Sequence, residues 1–275
     1  LGGMQLDGKR FFYVNPLEVN PEISGKLFGF KHVLPERPGW YQCACCPPNV
    51  ARLLASLGKY QWGEGENTIY SHLFIGGTAK LDLATIVVES ALPWEGKVSY
   101  AINPTGKQSR FSLSVRIPSY AKNVKIWING KEQKKNDIRD GYCYINRRWN
   151  EGDNVQLMFD MPVRRIYTNT MVRQNIGCVA IMRGPIVYCF EGIDNGGNIQ
   201  ELHINRGKEI KVGEYEPALL GGIVPLKIEG TRIFYHDSLY FEGEYSMKPE
   251  EITAIPYYAW GNRGLNQMRV WMHEI

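Results

Sequence analysis

A chain of 275 residues, 44% hydrophobic and 22% charged, has the make-up of an ordinary globular protein and the length for two or three domains. Its net charge of +4 is small, and Lys134-Lys135, Arg147-Arg148 and Arg164-Arg165 are isolated pairs rather than a stripe, so no nucleic-acid partner is expected. No apolar run approaches the ~18 residues of a membrane span, so no membrane partner is expected either.

In chain order, Phe11 to Pro16 reads as a short extended segment. Residues 20–40, rich in Pro, Gly and charge, read as a long loop. Cys43-Ala44-Cys45-Cys46-Pro47-Pro48-Asn49 follows, and behind it a helix is predicted from about Pro47 to Lys59. Proline suits a first helical turn, where the missing N–H costs nothing. Val50, Leu53, Leu54 and Leu57 recur at helical spacing, and Gly58 ends the run.

From Asn67 onwards the pattern is β. Strands are predicted over Thr68–Ile75, Thr85–Ser90 and Phe111–Ile117, the last with Phe111, Leu113, Val115 and Ile117 on one face. Val124–Ile128 runs into Asn129-Gly130, a hairpin signal. Tyr142–Ile145 and Val155–Phe159 are further strands, separated by a turn over Trp149–Asp153. A second β region follows Arg165: Cys178–Arg183 and Ile186–Phe190 flank Gly184-Pro185, and Ile223–Ile228 resumes the pattern after a polar stretch. Ile255–Trp260 and Met268–Met272 are apolar enough for sheet strands. Short strands punctuated by Gly, Pro and Asn indicate sandwiches.

The cysteines carry the chemistry. Cys43, Cys45 and Cys46 are half of the chain's six, and neighbours such as Cys45 and Cys46 rarely bridge each other. A thiol at a helix N-terminus feels the positive end of the dipole, which favours its thiolate. By residue type alone three readings stand: a structural metal site, buried inert thiols, or a nucleophile. Cys143, Cys178 and Cys189 lie in apolar, strand-like contexts and read as small buried hydrophobes. This thiol-leaning usage fits a reducing compartment, so the cytoplasm is favoured. A start at Leu1 reads as a piece of something longer or a processed product.

Four segments together resemble one family. They are Gly8-Lys9-Arg10-Phe11-Phe12-Tyr13-Val14-Asn15-Pro16-Leu17-Glu18, the cysteine motif through Arg52, Arg183-Gly184-Pro185-Ile186-Val187-Tyr188, and Pro256-Tyr257-Tyr258-Ala259-Trp260-Gly261-Asn262-Arg263-Gly264. In that order they resemble the β-L-arabinofuranosidases of glycoside hydrolase family 127. The resemblance implies a mainly β chain: two β-sandwich domains preceded by the C-terminal remnant of an (α/α)6 barrel. Residues 1–62 would end the barrel, residues 63–165 plus 256–275 would form the first sandwich, and residues 166–255 the second.

The resemblance also implies a retaining glycosidase with a zinc-bound cysteine nucleophile. Cys45 matches the nucleophile and a zinc ligand, Cys46 matches a second zinc ligand, and Cys43 matches a motif cysteine that is not a ligand. Tyr13 matches a tyrosine near the substrate, with a packed core tyrosine as the other reading. The remaining cysteine ligand, the glutamate ligand and the acid/base glutamate belong to barrel segments N-terminal to Leu1. The partners implied are an L-arabinofuranose-containing glycan, the missing barrel segment and a homodimer mate. This chain alone is expected to be inactive and to hold zinc weakly or not at all. Glu18 is expected to make structural hydrogen bonds, His32 is a loop histidine that could approach the site, and Tyr257, Tyr258 and Trp260 are expected to pack a core rather than bind sugar. The rival function is a non-catalytic β-sandwich module for barrel support, oligomerisation or glycan binding.

Overall fold

The computed structural model describes residues 3–29, 31–43, 45–106, 109–236 and 238–275. The chain is mostly β and divides into two compact units, residues 49–162 and residues 1–48 with 163–275. Among the described residues, no helix is long and apolar enough to cross a membrane.

The unit of residues 49–162 holds two sheets. A five-stranded sheet runs in the order Asp137–Arg139, Tyr142–Arg148, Arg110–Arg116, Thr68–Ser71, Trp62–Gly65. A six-stranded sheet runs Gly77–Lys80, Ala84–Ser90, Lys97–Pro104, Asp153–Asp160, Lys122–Ile128, Lys131–Glu132. The alternation read in Arg110–Arg116 sets the inner face: Phe111, Leu113 and Val115 are buried with Ile86, Tyr100 and Leu157 from the other sheet. Trp149 is almost fully buried, and its indole N–H donates to the carbonyl of Phe111 at 3.0 Å. Asn129 and Gly130 both take positive φ, 49° and 76°, which a two-residue turn of this hand requires.

The second unit is built on one ten-stranded sheet. Cys178–Arg183 pairs with Ile186–Glu191, which pairs with Ser246–Pro256. The pairing continues through Leu226–Phe234, Leu202–Ile204 and Met272–Glu274 and returns to Cys178–Arg183. These six strands therefore close on themselves around a core that includes Val179, Tyr188, Phe190, Leu226 and Met272.

Two boundaries differ from the sequence reading. The final strands do not return to the first sandwich. Met268–Arg269 pairs with Ile186–Glu191 and Met272–Glu274 pairs with Cys178–Arg183, so the tail belongs to the second unit. The reason is burial, because Met268, Val270 and Met272 are all buried and Met272 belongs to the second unit's core. The segment expected to end at residue 62 is also divided, with residues 1–48 grouping with the second unit and the rest with the first. The link is the strand Glu18–Val19, which pairs with Met268–Arg269.

A second link holds the segment that carries Tyr13. Phe12 stacks on Trp260, with ring centroids 4.9 Å apart and planes 7° from parallel. The Arg37 guanidinium lies over both rings, 4.7 Å from Phe12 and 5.3 Å from Trp260. It donates to the carbonyls of Gly3, Trp260 and Gly261. Tyr257 adds a hydrogen bond to the carbonyl of Pro16 at 2.8 Å. Of the aromatic tail, Trp260 is core as expected, at 1% exposed, while Tyr257 and Tyr258 are half-buried.

Candidate active site

The predicted helix forms over Cys46–Ala55 and is followed by a short one over Gly58–Gln61. Pro47 and Pro48 fall in its first turn, where their missing N–H groups leave no hydrogen bond unmade. Cys45 directly precedes the helix and Cys46 opens it. Both sit at the positive end of the helix dipole. Ala44 of the motif lies outside the described residues.

Cys45, Cys46 and Tyr13 come together. Cys45 Sγ is 3.9 Å from Cys46 Sγ and 3.4 Å from the Tyr13 hydroxyl. Tyr13 also donates to the carbonyl of Cys43. Cys45 is exposed and Cys46 partly so, so the thiols face outward rather than into packed hydrocarbon. All six cysteines are free, and Cys143, Cys178 and Cys189 are buried as expected.

The two neighbouring thiols are not equivalent. Hydrogen bonding from Tyr13, and then from Cys46, lowers the Cys45 pKa below the ordinary thiol value. Desolvation, and then the Cys45 side chain, raise that of Cys46. Tyr13 is raised well above an ordinary phenol by its hydrogen bonds to Cys43 and Cys45. Tyr13 gives its one phenolic proton to the Cys43 carbonyl, and in its 3.4 Å contact with Cys45 either group can donate. Of the two thiols, Cys45 is the one shifted towards its anionic form and Cys46 the one shifted away from it.

Tyr13 is itself held by a residue that sequence reasoning passed over. Its backbone N–H donates to the Tyr41 hydroxyl at 3.3 Å, and its ring meets that of Tyr41 edge-on at 4.4 Å. The available signal was position, since Tyr41 lies just before the cysteine motif. Glu18 takes the structural role expected of it, accepting from the Gln200 amide at 2.7 Å. His32 is exposed on its loop.

The thiol pair fits half of a zinc site. Two sulfurs on one tetrahedral zinc, each about 2.3 Å from the metal, stand roughly 3.8 Å apart. The 3.9 Å between Cys45 Sγ and Cys46 Sγ matches that edge. Among the described residues, no group of three or more His, Cys, Asp or Glu side chains is placed to hold a metal ion. The pair would need donors from elsewhere.

Three sequence profiles cover nearly all of the chain. They are the catalytic domain of glycoside hydrolase family 127 β-L-arabinofuranosidases over residues 1–59, the middle domain over 68–161 and the C-terminal domain over 163–273. The chain belongs to glycoside hydrolase family 127. Within the family it is 34% identical, over its whole length, to a non-reducing end β-L-arabinofuranosidase of Bifidobacterium longum, of which it covers 43%. The crystal structure of a family 127 β-L-arabinofuranosidase from Geobacillus stearothermophilus T6 matches it with TM-score 0.92 and 41% identity, over 100% of this chain and 44% of that one. A second family 127 β-arabinofuranosidase structure matches with TM-score 0.85 and 34% identity, over 100% of this chain and 43% of that one. The chain thus spans less than half the length of the relatives it matches. The family 127 catalytic-domain profile ends at residue 59, so the cysteine motif and Tyr13 fall inside it.

Proposed function

We propose that this chain is the C-terminal part of a retaining glycosidase acting on β-L-arabinofuranosides, with Cys45 as its nucleophile. The observation that carries the reading is the Cys45 sulfur itself: exposed, at a helix N-terminus and hydrogen-bonded by Tyr13. The family's membership supplies the substrate class, since the similar proteins are named as β-L-arabinofuranosidases.

The chemistry is a double displacement. Cys45 sulfur bonds to the anomeric carbon as the glycosidic C–O bond breaks. The leaving oxygen takes a proton from a carboxylic acid supplied by the rest of the catalytic domain. Water then displaces the sulfur, giving up its proton to the same carboxylate, and the sugar leaves with its configuration retained. Cys45 and Cys46 are the residues of this chain that would hold zinc. When bound, the ion lowers the thiol pKa further and keeps the sulfur anionic at neutral pH. Tyr13 orients the sulfur through its hydroxyl.

The helix behind the site supports a catalytic domain that extends beyond this chain. The helix Cys46–Ala55 has no buried residue, and Leu53 and Leu54 are 44% and 51% exposed. An amphipathic helix of this kind is stabilised by burying its apolar face against neighbours. We assign that role to further barrel helices, which also bring the remaining zinc donors and the acid/base carboxylate.

The test compares residues 1–275 alone with the same chain extended through a whole catalytic domain. The extended protein is expected to hydrolyse an aryl β-L-arabinofuranoside and to hold one zinc by elemental analysis. Residues 1–275 alone are expected to show no turnover above buffer and less than one equivalent of zinc. Turnover by residues 1–275 alone would overturn the assignment of the acid and the missing donors to other segments.

A further inference from the structure

We propose that Tyr41 is a positioning residue that holds the Tyr13 hydroxyl against the Cys45 sulfur. The proposal rests on the reading of Cys45 as nucleophile and adds the device that orients it.

Tyr13 reaches Cys45 through its terminal oxygen, so the 3.4 Å contact depends on where its backbone and its ring are fixed. Tyr41 fixes both. Its hydroxyl accepts the Tyr13 backbone N–H at 3.3 Å, and its ring packs edge-on against the Tyr13 ring at 4.4 Å and 82°. Edge-to-face contact at this range has a preferred orientation, unlike simple apolar packing. Tyr41 is backed in turn by Phe11, with ring centroids 5.1 Å apart. Phe11 is 3% exposed, and its N–H donates to the carbonyl of Pro38 at 3.2 Å. The brace therefore runs from buried Phe11 through Tyr41 to Tyr13 and ends on sulfur. Tyr41 is also only two positions before Cys43, so the chain that carries the brace also carries the nucleophile.

A residue acting in this way contributes to the orientation of attack rather than to substrate affinity. Misplacing a reacting group by a fraction of an ångström lowers the rate of the chemical step and leaves ground-state binding largely intact.

The experiment measures kcat and KM on an aryl β-L-arabinofuranoside in the protein carrying its whole catalytic domain. Tyr41→Leu removes both the ring contact and the hydrogen bond, and is expected to lower kcat about tenfold with KM changed less than about twofold. Tyr41→Phe keeps the ring and loses only the hydrogen bond. It is expected to lower kcat by roughly threefold, and it serves where Tyr41→Leu does not fold by circular dichroism. The deciding readout is the same pair of substitutions in a Tyr13→Phe background. If Tyr41 works through the Tyr13 hydroxyl, its replacement there has no further effect on kcat. A full, independent loss in that background would overturn the proposal. So would a rise in KM with kcat unchanged, or a Tyr13→Phe variant as active as the parent. Failure of the underlying reading is seen separately, as retained activity in Cys45→Ser.

Discussion

Replacing Cys45 by serine, in the protein with its whole catalytic domain, is expected to lower kcat on an aryl β-L-arabinofuranoside by at least about four orders of magnitude. Several effects act in the same direction. A serine hydroxyl stays protonated at neutral pH, whereas hydrogen bonding from Tyr13 and Cys46 holds the Cys45 thiol below its ordinary pKa. Oxygen would also be a poorer ligand than sulfur for the proposed zinc. The substitution is conservative in size at an exposed position, so the fold is expected to survive it. Cys43→Ser is the control. Cys43 meets Tyr13 through its backbone carbonyl, which serine retains, and through its side chain, where a hydroxyl takes the thiol's place as hydrogen-bonding group, and activity within about threefold of the parent is expected. Steady-state kinetics with circular dichroism on each variant checks both statements. Equal losses in Cys45→Ser and Cys43→Ser would mean that the motif is structural.

The second large effect concerns stability. Glu191 is fully buried, and its carboxylate is met by Arg263 at 2.6 Å and by the N–H of Gly261 at 2.8 Å. Arg263 also pairs with Asp194, at 2.7 Å from one carboxylate oxygen. Arg263 comes from the tail motif, so this pair locks the loop that follows Trp260 onto the strand Ile186–Glu191. Arg263→Ala removes the ion-pair partner of a buried carboxylate. Leaving one member of a buried pair uncompensated costs about 3–5 kcal/mol, far more than a surface pair is worth. A fall in Tm on the order of 10 °C follows for a unit of this size. Adding Glu191→Gln to Arg263→Ala removes the orphaned charge and is expected to restore part of the loss. Denaturant unfolding of the two single variants and the double variant reads the coupling directly. A Tm for Arg263→Ala within about 2 °C of the parent would contradict a buried ion pair at this position.

The legible parts of the sequence were those where one local rule decides. Phe111, Leu113 and Val115 alternate and face one core. Asn129-Gly130 makes the turn its dihedral freedom allows. The cysteine motif announced its helix, because prolines followed by leucines at helical spacing leave few alternatives, while its residue types left the chemistry open. What escaped depended on partners distant in sequence. Lys97–Pro104, with Val98, Tyr100 and Ile102 on its buried face, is a strand of eight that the sequence reading does not include. Ser246–Pro256 is exposed over its first half and contains Pro249, so its polar residues masked a strand of eleven. The tail strands were legible as strands but not as members of the second unit, since register with Ile186–Glu191 is a tertiary fact. Tyr41 looked like one more loop aromatic, because nothing local says that its ring meets Tyr13. Glu191 and Arg263 are ordinary charges in sequence and become a lock only when burial leaves each the other's partner.

The central claim is that the bond to sugar is made by the Cys45 sulfur. It is tested by incubating the protein carrying its whole catalytic domain with an activated 2-fluoro-β-L-arabinofuranoside, which slows the release of a covalent intermediate, and mapping the adduct by peptide mass spectrometry. A single fluoro-arabinosyl group on Cys45, absent in Cys45→Ser, is the result expected. The same group on a carboxylate side chain, or on Cys46 with Cys45 unmodified, would contradict the account.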